Sequence, residues 1–311
     1  MSTTSPYRRF RRSLNRVYAP IENRLPTGWV LLTPASALLG FVVAIPLLTA
    51  LALSFTEYNL TLSTFPTFVG IQNYVQGVVT DGQFLNALIN TAVFVVAAVS
   101  LEFLLGFGLA LLLWEKFPGR GIFRAVLLTP MFIAPVAVGL MFRFIFNSQM
   151  GVMPELLGFV GLGDLGWFTD PTLAMLVIVL GDVWQWTPYM VILLLAGLQA
   201  LPSEPYEAAR IDGASSFEQF YEITLPLMRP VIAATLIIRI IDASKVFAKI
   251  YTMTSGGPGV ATETLAWYIY KTGFQSYHLG IAASQSVTVL LMIIGLGYVQ
   301  TYVIGQGDEY A

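Results

Sequence analysis

The sequence predicts an all-α integral membrane protein with six transmembrane helices. Of its 311 residues, 56% are hydrophobic and only 11% are charged, and the mean hydropathy of +0.72 lies well outside the range of soluble domains. Apolar stretches of about 20 residues recur along the chain, which is the length that an α-helix needs to cross a hydrocarbon layer of about 30 Å. The basic residues also gather in alternate connections, as is typical of multi-pass membrane proteins.

Six stretches are long enough to span a membrane, because a helix satisfies its own backbone hydrogen bonds there. The third, fourth and fifth of them contain polar groups. The stretches run from Trp29 to Phe55, Ala87 to Trp114, Phe123 to Phe146, Pro171 to Leu201, Leu227 to Tyr251 and Ile281 to Ile304. No internal repeat or linker is visible, so we expect one transmembrane domain over residues 29–304, with a basic tail at 1–28 and a short tail at 305–311.

The positions of Lys and Arg predict the orientation, because cytoplasmic loops retain these residues. We expect both tails and the second and fourth connections to be cytoplasmic. The Arg-rich start also resembles a twin-arginine or cleavable signal, but the apolar stretch that follows is long enough to span and has no clear cleavage site, which favours a retained anchor. The basic residues concerned are Arg8, Arg9, Arg11, Arg12, Arg16 and Arg24, then Lys116, Arg120 and Arg124, then Arg210 and Arg229.

Several kinds of chemistry are excluded by composition. The chain has no cysteine, which removes disulfides, thiol catalysis and thiolate metal sites. It also lacks a phosphate-binding G-x-x-x-x-G-K-[ST] loop and the H-E-x-x-H metal motif, so we expect no catalytic residues, no metal and no cofactor on this chain. A net charge of −2 gives no indication of nucleic-acid binding. The one histidine, His278, has no nearby ligand partner in the sequence and receives no role.

The polar connection at residues 202–226 contains two helix-start signals. Ser203 can cap a short helix with Pro205 in its first turn, and Gly213 can end that helix in a left-handed conformation. Ser215 and Glu218 form the S-x-x-E pattern of a capping box for a second helix, which we expect to end at Pro226 and again to be limited by Pro230. Without further information, this segment could simply be a surface helical hairpin that joins two spans.

The spacing of this connection carries a family resemblance. It reads E-A-A-x3-G-x9-I-x-L-P, through Glu207, Ala208, Ala209, Gly213, Ile223, Leu225 and Pro226. The pattern resembles the cytoplasmic coupling loop of permease subunits in binding-protein-dependent ABC importers, which implies the type I importer fold. The resemblance assigns ATPase docking to Glu207 and Gly213 and the re-entry into the membrane to Ile223, Leu225 and Pro226. Weaker similarities at residues 68–74, 167–171 and 255–259 indicate the carbohydrate branch, of the maltose, trehalose or glycerol-phosphate type.

The resemblance also implies partners. They are a second homologous permease, two ATPase subunits that bind ATP and Mg, an extracellular solute-binding protein and a sugar-like substrate. The chain would then lie among the lipids of the cytoplasmic membrane of a bacterium or archaeon. Two alternatives are an ion- or proton-coupled secondary transporter, for which two matching halves with broken helices are expected, and a membrane-embedded enzyme, which needs a nucleophile and a base. Neither feature is visible in the sequence.

A polar and aromatic cluster in the fourth span predicts a substrate site, because polar groups within a membrane usually face a cavity or a partner. Hydroxyl groups of a sugar need donors and acceptors such as Asp182 and Gln185, and its apolar ring faces stack on aromatic side chains. The aromatic candidates are Trp184, Trp186 and Tyr189. The spacing places all of these except Trp184 on one stripe, and we expect Pro188 to interrupt the helix, which can bring Trp184 back. Packing or an interfacial aromatic belt is the alternative reading.

The fifth span contains four charged residues at helical spacing: Arg239, Asp242, Lys245 and Lys249. On one continuous helix they share a face, which cannot meet lipid. Asp242 can pair with Arg239 or Lys245, so the face is either an ion-pair ladder that fixes packing or a polar wall of the substrate pathway. The corresponding stretch of maltose-type permeases is uncharged, and this departure leaves room for a phosphorylated, glycerol-phosphate-type substrate. We expect Arg143 and Glu102 to be structural.

Overall fold

The structure, a computed structural model, describes residues 27–62, 65–115, 117–163 and 165–305. The basic residues at positions 8–24, Lys116 and most of the C-terminal tail lie outside the described residues. The chain divides into two compact units, residues 1–53 and 54–311. Helix α1, which lies in the first unit except for its last residue, runs through Thr27–Leu39, a π-helical turn at Gly40–Ala44 and Ile45–Ser54. It covers the predicted first span except for Phe55.

The second unit contains all the other elements. The strands are β1 (Thr56–Glu57) and β2 (Thr67–Phe68), which pair antiparallel with Thr56 opposite Phe68. The helices up to the middle of the unit are α2 (Gln72–Tyr74 with a π-helical turn at Val75–Val79), α3 (Gly82–Trp114), α4 (Arg120–Leu128), α5 (Pro135–Ile145), α6 (Val152–Gly158) and α7 (Pro171–Gln199). The remaining helices are α8 (Glu204–Ile211), α9 (Ser216–Ala243), α10 (Ala248–Met253), α11 (Leu265–Tyr270 with a π-helical turn at Lys271–Gln275) and α12 (Leu279–Gly305).

Within the described residues, five helices are long and apolar enough to span a membrane, and the bent pair of α4 and α5 makes a sixth. The long helices α3 and α7 pack against each other and hold the centre of the core, around Phe94, Ile178 and Met190. Their close approach depends on Gly106, because a Cβ atom there would lie 2.6 Å from the Met190 Cβ. Asp81 and Asp170 cap the starts of α3 and α7 by accepting backbone N–H bonds.

The third span is not the straight helix that the hydropathy predicts. Helix α4 continues through a 3-10 turn at Thr129–Phe132, and the path then bends by 96° before α5 begins. Pro135 explains the position of the bend, because proline forces the residue before it out of the helical region, and Ala134 has the extended ψ of 135°.

Two predicted effects of proline are wrong, one in the fourth span and one at the end of the polar connection at residues 202–226. Helix α7 continues through Pro188 without interruption, since a transmembrane helix tolerates the loss of one hydrogen bond when neighbouring helices support it. Helix α9 does not end at Pro226 either. A π-helical turn at Gln219–Thr224, in which Leu225 N donates to Phe220 O, precedes the proline and relieves the crowding that its ring would cause.

The predicted fifth span ends earlier than expected. Helix α9 stops at Ala243, and a turn formed by bonds from Lys245 N to Asp242 O and from Val246 N to Ala243 O leads to the short helix α10. The Val246 carbonyl, freed by this break, accepts a hydrogen bond from Thr264 Oγ1. The prediction that Arg239, Asp242, Lys245 and Lys249 share one helical face is therefore wrong, because Lys245 and Lys249 lie beyond the end of α9.

Candidate functional site

A cluster of buried charges lies where α3, α7, α9 and α10 meet. Arg239 of α9 donates from Nε and Nη2 to the two carboxylate oxygens of Glu102 on α3, at 2.6 and 2.9 Å. It also pairs with Asp182 of α7, which in turn pairs with Lys249 of α10. All four side chains are buried. Two cations and two carboxylates thus balance one another, which is the condition under which charges remain stable away from water.

A cavity of about 320 Å³ opens beside this cluster. Arg239, Asp182 and Lys249 belong to its lining, and two of their charged groups lie over the Trp186 ring, with the ring centroid 5.3 Å from Arg239 Cζ and 6.0 Å from Lys249 Nζ. At such distances both cations make cation–π contacts with the electron-rich face of the ring. The cavity is lined by Pro135, Asp182, Trp186, Arg239, Asp242, Ala243, Lys245, Val246, Phe247, Ala248 and Lys249.

Two charged groups of the cavity remain accessible. The side chains of Asp242 and Lys245 are 50% and 58% exposed, and their charged atoms lie 3.7 Å apart. Asp242 also accepts a hydrogen bond from Arg239 Nη1 at 3.1 Å, so the predicted contacts of Asp242 with both cations exist. The cavity therefore offers an aromatic face, one acceptor group and one donor group to a ligand.

The structure brings together some of the residues predicted from the sequence and separates others. Asp182, Trp186, Arg239 and Asp242 line the cavity, and Tyr189 packs edge-on against Trp186 with ring centroids 6.1 Å apart. Trp184 is exposed on another face of α7, against Phe142. The break at Pro188 that would have returned Trp184 to the stripe does not exist.

Gln185 lies apart from the cavity lining. Its side chain is buried, and Nε2 donates to the Ile133 carbonyl at 2.6 Å, so the amide satisfies a backbone group at the bend between α4 and α5. Glu102 was expected to be structural, and Lys249 was expected to belong either to an ion-pair ladder or to a polar wall; the two side chains complete the charge cluster. The sequence contains a signal for this, because an acidic residue in the middle of a long apolar span needs a buried cation as partner.

The predicted coupling loop forms a compact helical hairpin. Gly213 adopts a positive φ of 80°, and Ala214 N donates to Ala209 O at 2.8 Å, so α8 ends in the left-handed turn predicted from the sequence. Glu207 and Ala208 are exposed and Ala209 is half-buried. Ser203 occupies the N-cap position without a side-chain hydrogen bond, so the predicted Ser203 cap is wrong. Its carbonyl instead accepts the amides of Tyr206 and Glu207.

The capping box at the start of α9 is present. Ser215 N donates to Glu218 Oε2 at 2.7 Å, and Glu218 N donates to Ser215 Oγ at 3.3 Å. Hydrogen bonding by the side chain and the backbone of Ser215 lowers the pKa of the Glu218 carboxyl. The hairpin is closed by Tyr206, whose hydroxyl lies 2.9 Å from Thr224 Oγ1 and whose ring meets Trp114. Ile223, Leu225 and Pro226, which the resemblance assigns to the re-entry into the membrane, are half-buried.

The hairpin exposes large apolar side chains that the sequence analysis did not single out. Ile211 is 86% exposed, Phe217 73% and Tyr221 62%. The rings of Phe217 and Tyr221 lie nearly parallel, with centroids 6.5 Å apart. Apolar groups on a polar loop are typical of a surface that another protein covers.

Known transport proteins are similar to this chain in sequence. The family model "Binding-protein-dependent transport system inner membrane component" matches residues 102–304. The trehalose/maltose transport system permease protein MalF of Thermococcus litoralis is 36% identical over 276 residues, which is 88% of this chain and 92% of that protein. The sn-glycerol-3-phosphate transport system permease protein UgpA of Agrobacterium fabrum is 36% identical over 238 residues, 74% of this chain and 78% of that protein.

Solved structures show the same fold. A chain of a bacterial ABC transporter involved in the import of the acidic polysaccharide alginate superposes with a TM-score of 0.80 at 21% identity, over 94% of this chain and 99% of that chain. A chain of the alginate transporter in complex with a periplasmic protein bound to an alginate pentasaccharide gives a TM-score of 0.77 at 22% identity, over 92% of this chain and 96% of that chain.

Proposed function

This chain belongs to the family of binding-protein-dependent transport system inner membrane components, and on that premise we propose that it is the permease subunit through which a sugar-like solute crosses the membrane in an ATP-driven importer. The solute occupies the cavity beside Trp186, and the hairpin at residues 202–226 receives the force of ATP turnover. This family membership favours an importer permease over the two alternative hypotheses, a secondary transporter and a membrane-embedded enzyme.

One observation carries this proposal: a single helix joins the two sites. Helix α9 runs without interruption from Ser216 to Ala243, a length of about 42 Å at 1.5 Å per residue. Its first turn carries the exposed ring of Phe217, and its last two turns carry Arg239 and Asp242 at the cavity. A displacement of the hairpin therefore reaches the cavity through one rigid element.

The cavity suits a neutral, hydroxylated ligand better than a phosphate ester. An aromatic face such as that of Trp186 stacks on the apolar face of a sugar ring, while Asp242 and Lys245 can accept from and donate to its hydroxyl groups. The buried cations Arg239 and Lys249 are already paired with Glu102 and Asp182. A phosphate group would have to displace those carboxylates or share the exposed Lys245 with Asp242, so the glycerol-phosphate-type substrate is the less favoured member of the carbohydrate class.

The remaining parts of the transporter belong to other chains in this proposal. ATP and Mg bind to two separate ATPase subunits, which dock on Ile211, Phe217 and Tyr221 of the hairpin with Glu207 beside them. A second homologous permease completes the pathway, and a solute-binding protein delivers the substrate on the opposite face. The crystallised alginate transporter in complex with a periplasmic protein supports the binding-protein partner, and the distribution of Lys and Arg favours a hairpin in the cytoplasm.

The cavity is tested by Trp186→Ala, with Trp184→Ala as the matched control on the opposite face of the same helix. Purified complete importer in proteoliposomes is supplied with binding protein loaded with radiolabelled maltose, trehalose or another neutral oligosaccharide that it retains. Loss of the stacking face should raise the apparent KM for uptake up to about tenfold, the factor for about 1.4 kcal/mol of aromatic contact. Equal uptake by Trp186→Ala and the control would remove the cavity from the pathway.

The hairpin is tested by its exposed rings. The double variant Phe217→Ala with Tyr221→Ala, and separately Glu207→Lys, should reach the membrane normally but retain less ATPase on affinity purification of the permease. The control is Phe274→Ala, which removes an equally exposed ring outside the hairpin. If both hairpin variants retain as much ATPase as the control, the docking assignment is wrong.

A further inference from the structure

Arg124 presents an unsatisfied guanidinium in a cavity far from the charge cluster. It lies on α4, and the cavity of about 250 Å³ that it enters is lined by Leu113, Arg124, Leu127, Leu128, Val191, Ile192, Leu195, Ala196 and Gln199. Its Nε and Nη2 atoms are shielded from solvent and have no hydrogen-bond partner among the described residues. Apart from Gln199, the other lining side chains are apolar.

A guanidinium in such surroundings calls for an anion. Two N–H-bearing atoms that lie out of water without an acceptor are unfavourable, and the planar fork of arginine matches a carboxylate or phosphate with paired hydrogen bonds. Arg120 lies one turn earlier on the same helix, and its guanidinium already has hydrogen-bond acceptors within the protein. Its Nη1 donates to the carbonyls of Trp114 and Glu115 at 3.3 and 3.2 Å.

The cavity lies at the end of the helix bundle that carries the hairpin. Ala196 and Gln199 belong to the last turn of α7, and the hairpin begins at residue 202. Helix α4 is bent by 96° from α5 and carries Ile122 and Val126 exposed on its other side. A short helix with exposed apolar residues and basic residues at Arg120 and Arg124 is typical of the boundary between hydrocarbon and headgroups.

We propose that Arg124 and this cavity bind an anionic phospholipid of the leaflet on the hairpin side. The guanidinium pairs with the lipid phosphate, and the Leu127, Val191 and Leu195 walls receive the upper part of an acyl chain. The apolar lining favours a lipid over inorganic phosphate, because a free phosphate has nothing to place against those walls. The alternative ligand for the guanidinium is a carboxylate of a partner subunit. A lipid is favoured over it, because the exposed apolar side chains of α4 indicate contact with lipid on this side of the helix.

The test measures lipid retention by the complete importer. The complex is purified in a neutral detergent, incubated with phosphatidylglycerol or phosphatidylcholine, and washed, and the lipid that remains bound is counted by native mass spectrometry. The wild type should keep phosphatidylglycerol in preference to phosphatidylcholine. Arg124→Gln should lose that preference, whereas the matched variant Arg120→Gln should keep it.

A second variant fills the cavity and leaves the charge in place. Ala196→Phe should also abolish retention, because the acyl chain no longer has space beside Arg124. Thermal unfolding of the wild type should shift upward with phosphatidylglycerol and stay unchanged with inorganic phosphate. Three results would overturn the proposal: phosphatidylglycerol retained by Arg124→Gln as by the wild type, an equal shift with inorganic phosphate, or release of a partner subunit by Arg124→Gln with lipid retention unchanged.

Discussion

Removal of the Arg239 side chain should destabilise the protein more than any surface substitution. The loss in free energy of unfolding follows from the partners that Arg239 leaves behind. Arg239→Leu takes away the bidentate partner of Glu102 and one partner of Asp182. Asp182 keeps Lys249, so Glu102 is the one carboxylate left buried and unpaired. A single orphaned charge of this kind costs about 3–5 kcal/mol.

Arg239 and Glu102 can also be removed together. Replacing both members, Arg239→Leu with Glu102→Leu, removes the orphan and places apolar side chains where α3 and α9 meet, so most of the lost stability should return. The double-mutant cycle should give a coupling energy of about 3 kcal/mol. Asp242→Asn should cost at most about 1 kcal/mol, because the Asp242 side chain is half exposed.

The assay is unfolding by SDS in mixed micelles, followed by helix content, for the wild type, the two single variants, the double variant and Asp242→Asn. The free energies of unfolding then complete the cycle. A loss below about 1 kcal/mol for Arg239→Leu, or a double variant no more stable than Arg239→Leu alone, would refute the view that a buried charge balance holds α3, α7, α9 and α10 together.

Two further predictions concern local structure. The folded state lowers the pKa of Glu218 from its ordinary value of 4.5, so the capping box contributes its stability above that value and loses it as the pH falls through the lowered pKa. The protection factors of the amides at the start of α9, which correct for the intrinsic pH dependence of hydrogen exchange, should therefore fall in acid in the wild type but vary less with pH in Glu218→Gln. An identical pH profile of protection in the two proteins would contradict this. Gly106→Leu should destabilise the protein by about 1–3 kcal/mol by overpacking, since its Cβ would lie 2.6 Å from the Met190 Cβ, whereas Gly108→Leu, with nothing within 4 Å, serves as its control in the same unfolding assay.

The elements that hydropathy and local chemistry determine were predictable from the sequence. Long apolar stretches mark α3, α7 and α12 because the hydrocarbon layer fixes both their length and their composition. The capping box at Ser215 and the left-handed turn at Gly213 depend on residues a few positions apart, so the sequence contains all the information that they need.

Proline effects were not predictable in the same way, because they depend on what surrounds the ring. Pro135 accompanies the bend before α5, Pro188 lies inside an unbroken α7, and Pro226 follows a π-helical turn in α9. All three prolines lack the same backbone N–H group. The outcome is decided by packing of the helix and by the hydrogen-bond pattern of the preceding turn, and neither is visible in single-sequence periodicity.

The charge cluster escaped prediction for a different reason. The sequence shows that Arg239 needs a carboxylate, and the neighbour at i+3, Asp242, is the nearest choice on a helix. The bidentate partner is Glu102, 137 positions earlier in the chain, and only the packing of α3 against α9 brings it close. Helical spacing indicates only which partners are near in the sequence. The buried guanidinium of Arg239 needs a buried carboxylate, and Glu102 provides it, whereas the half-exposed Asp242 cannot balance a fully buried charge.

The same cluster limits how the transporter can move. If α9 slid alone when the hairpin is displaced, Arg239 would have to leave Glu102 and Asp182, at a cost of about 3–5 kcal/mol or more. We therefore expect α3, α7, α9 and α10 to move together as one body, with the buried pairs intact. We then expect α4 and α5 to move relative to each other at their junction, because the helical hydrogen bonds are already interrupted there at Ile133 and Ala134. Since Gln185 of α7 holds the Ile133 carbonyl, α7 pulls on that junction directly, and cross-links that lock α4 to α5 should stop transport while cross-links between α3 and α9 should not.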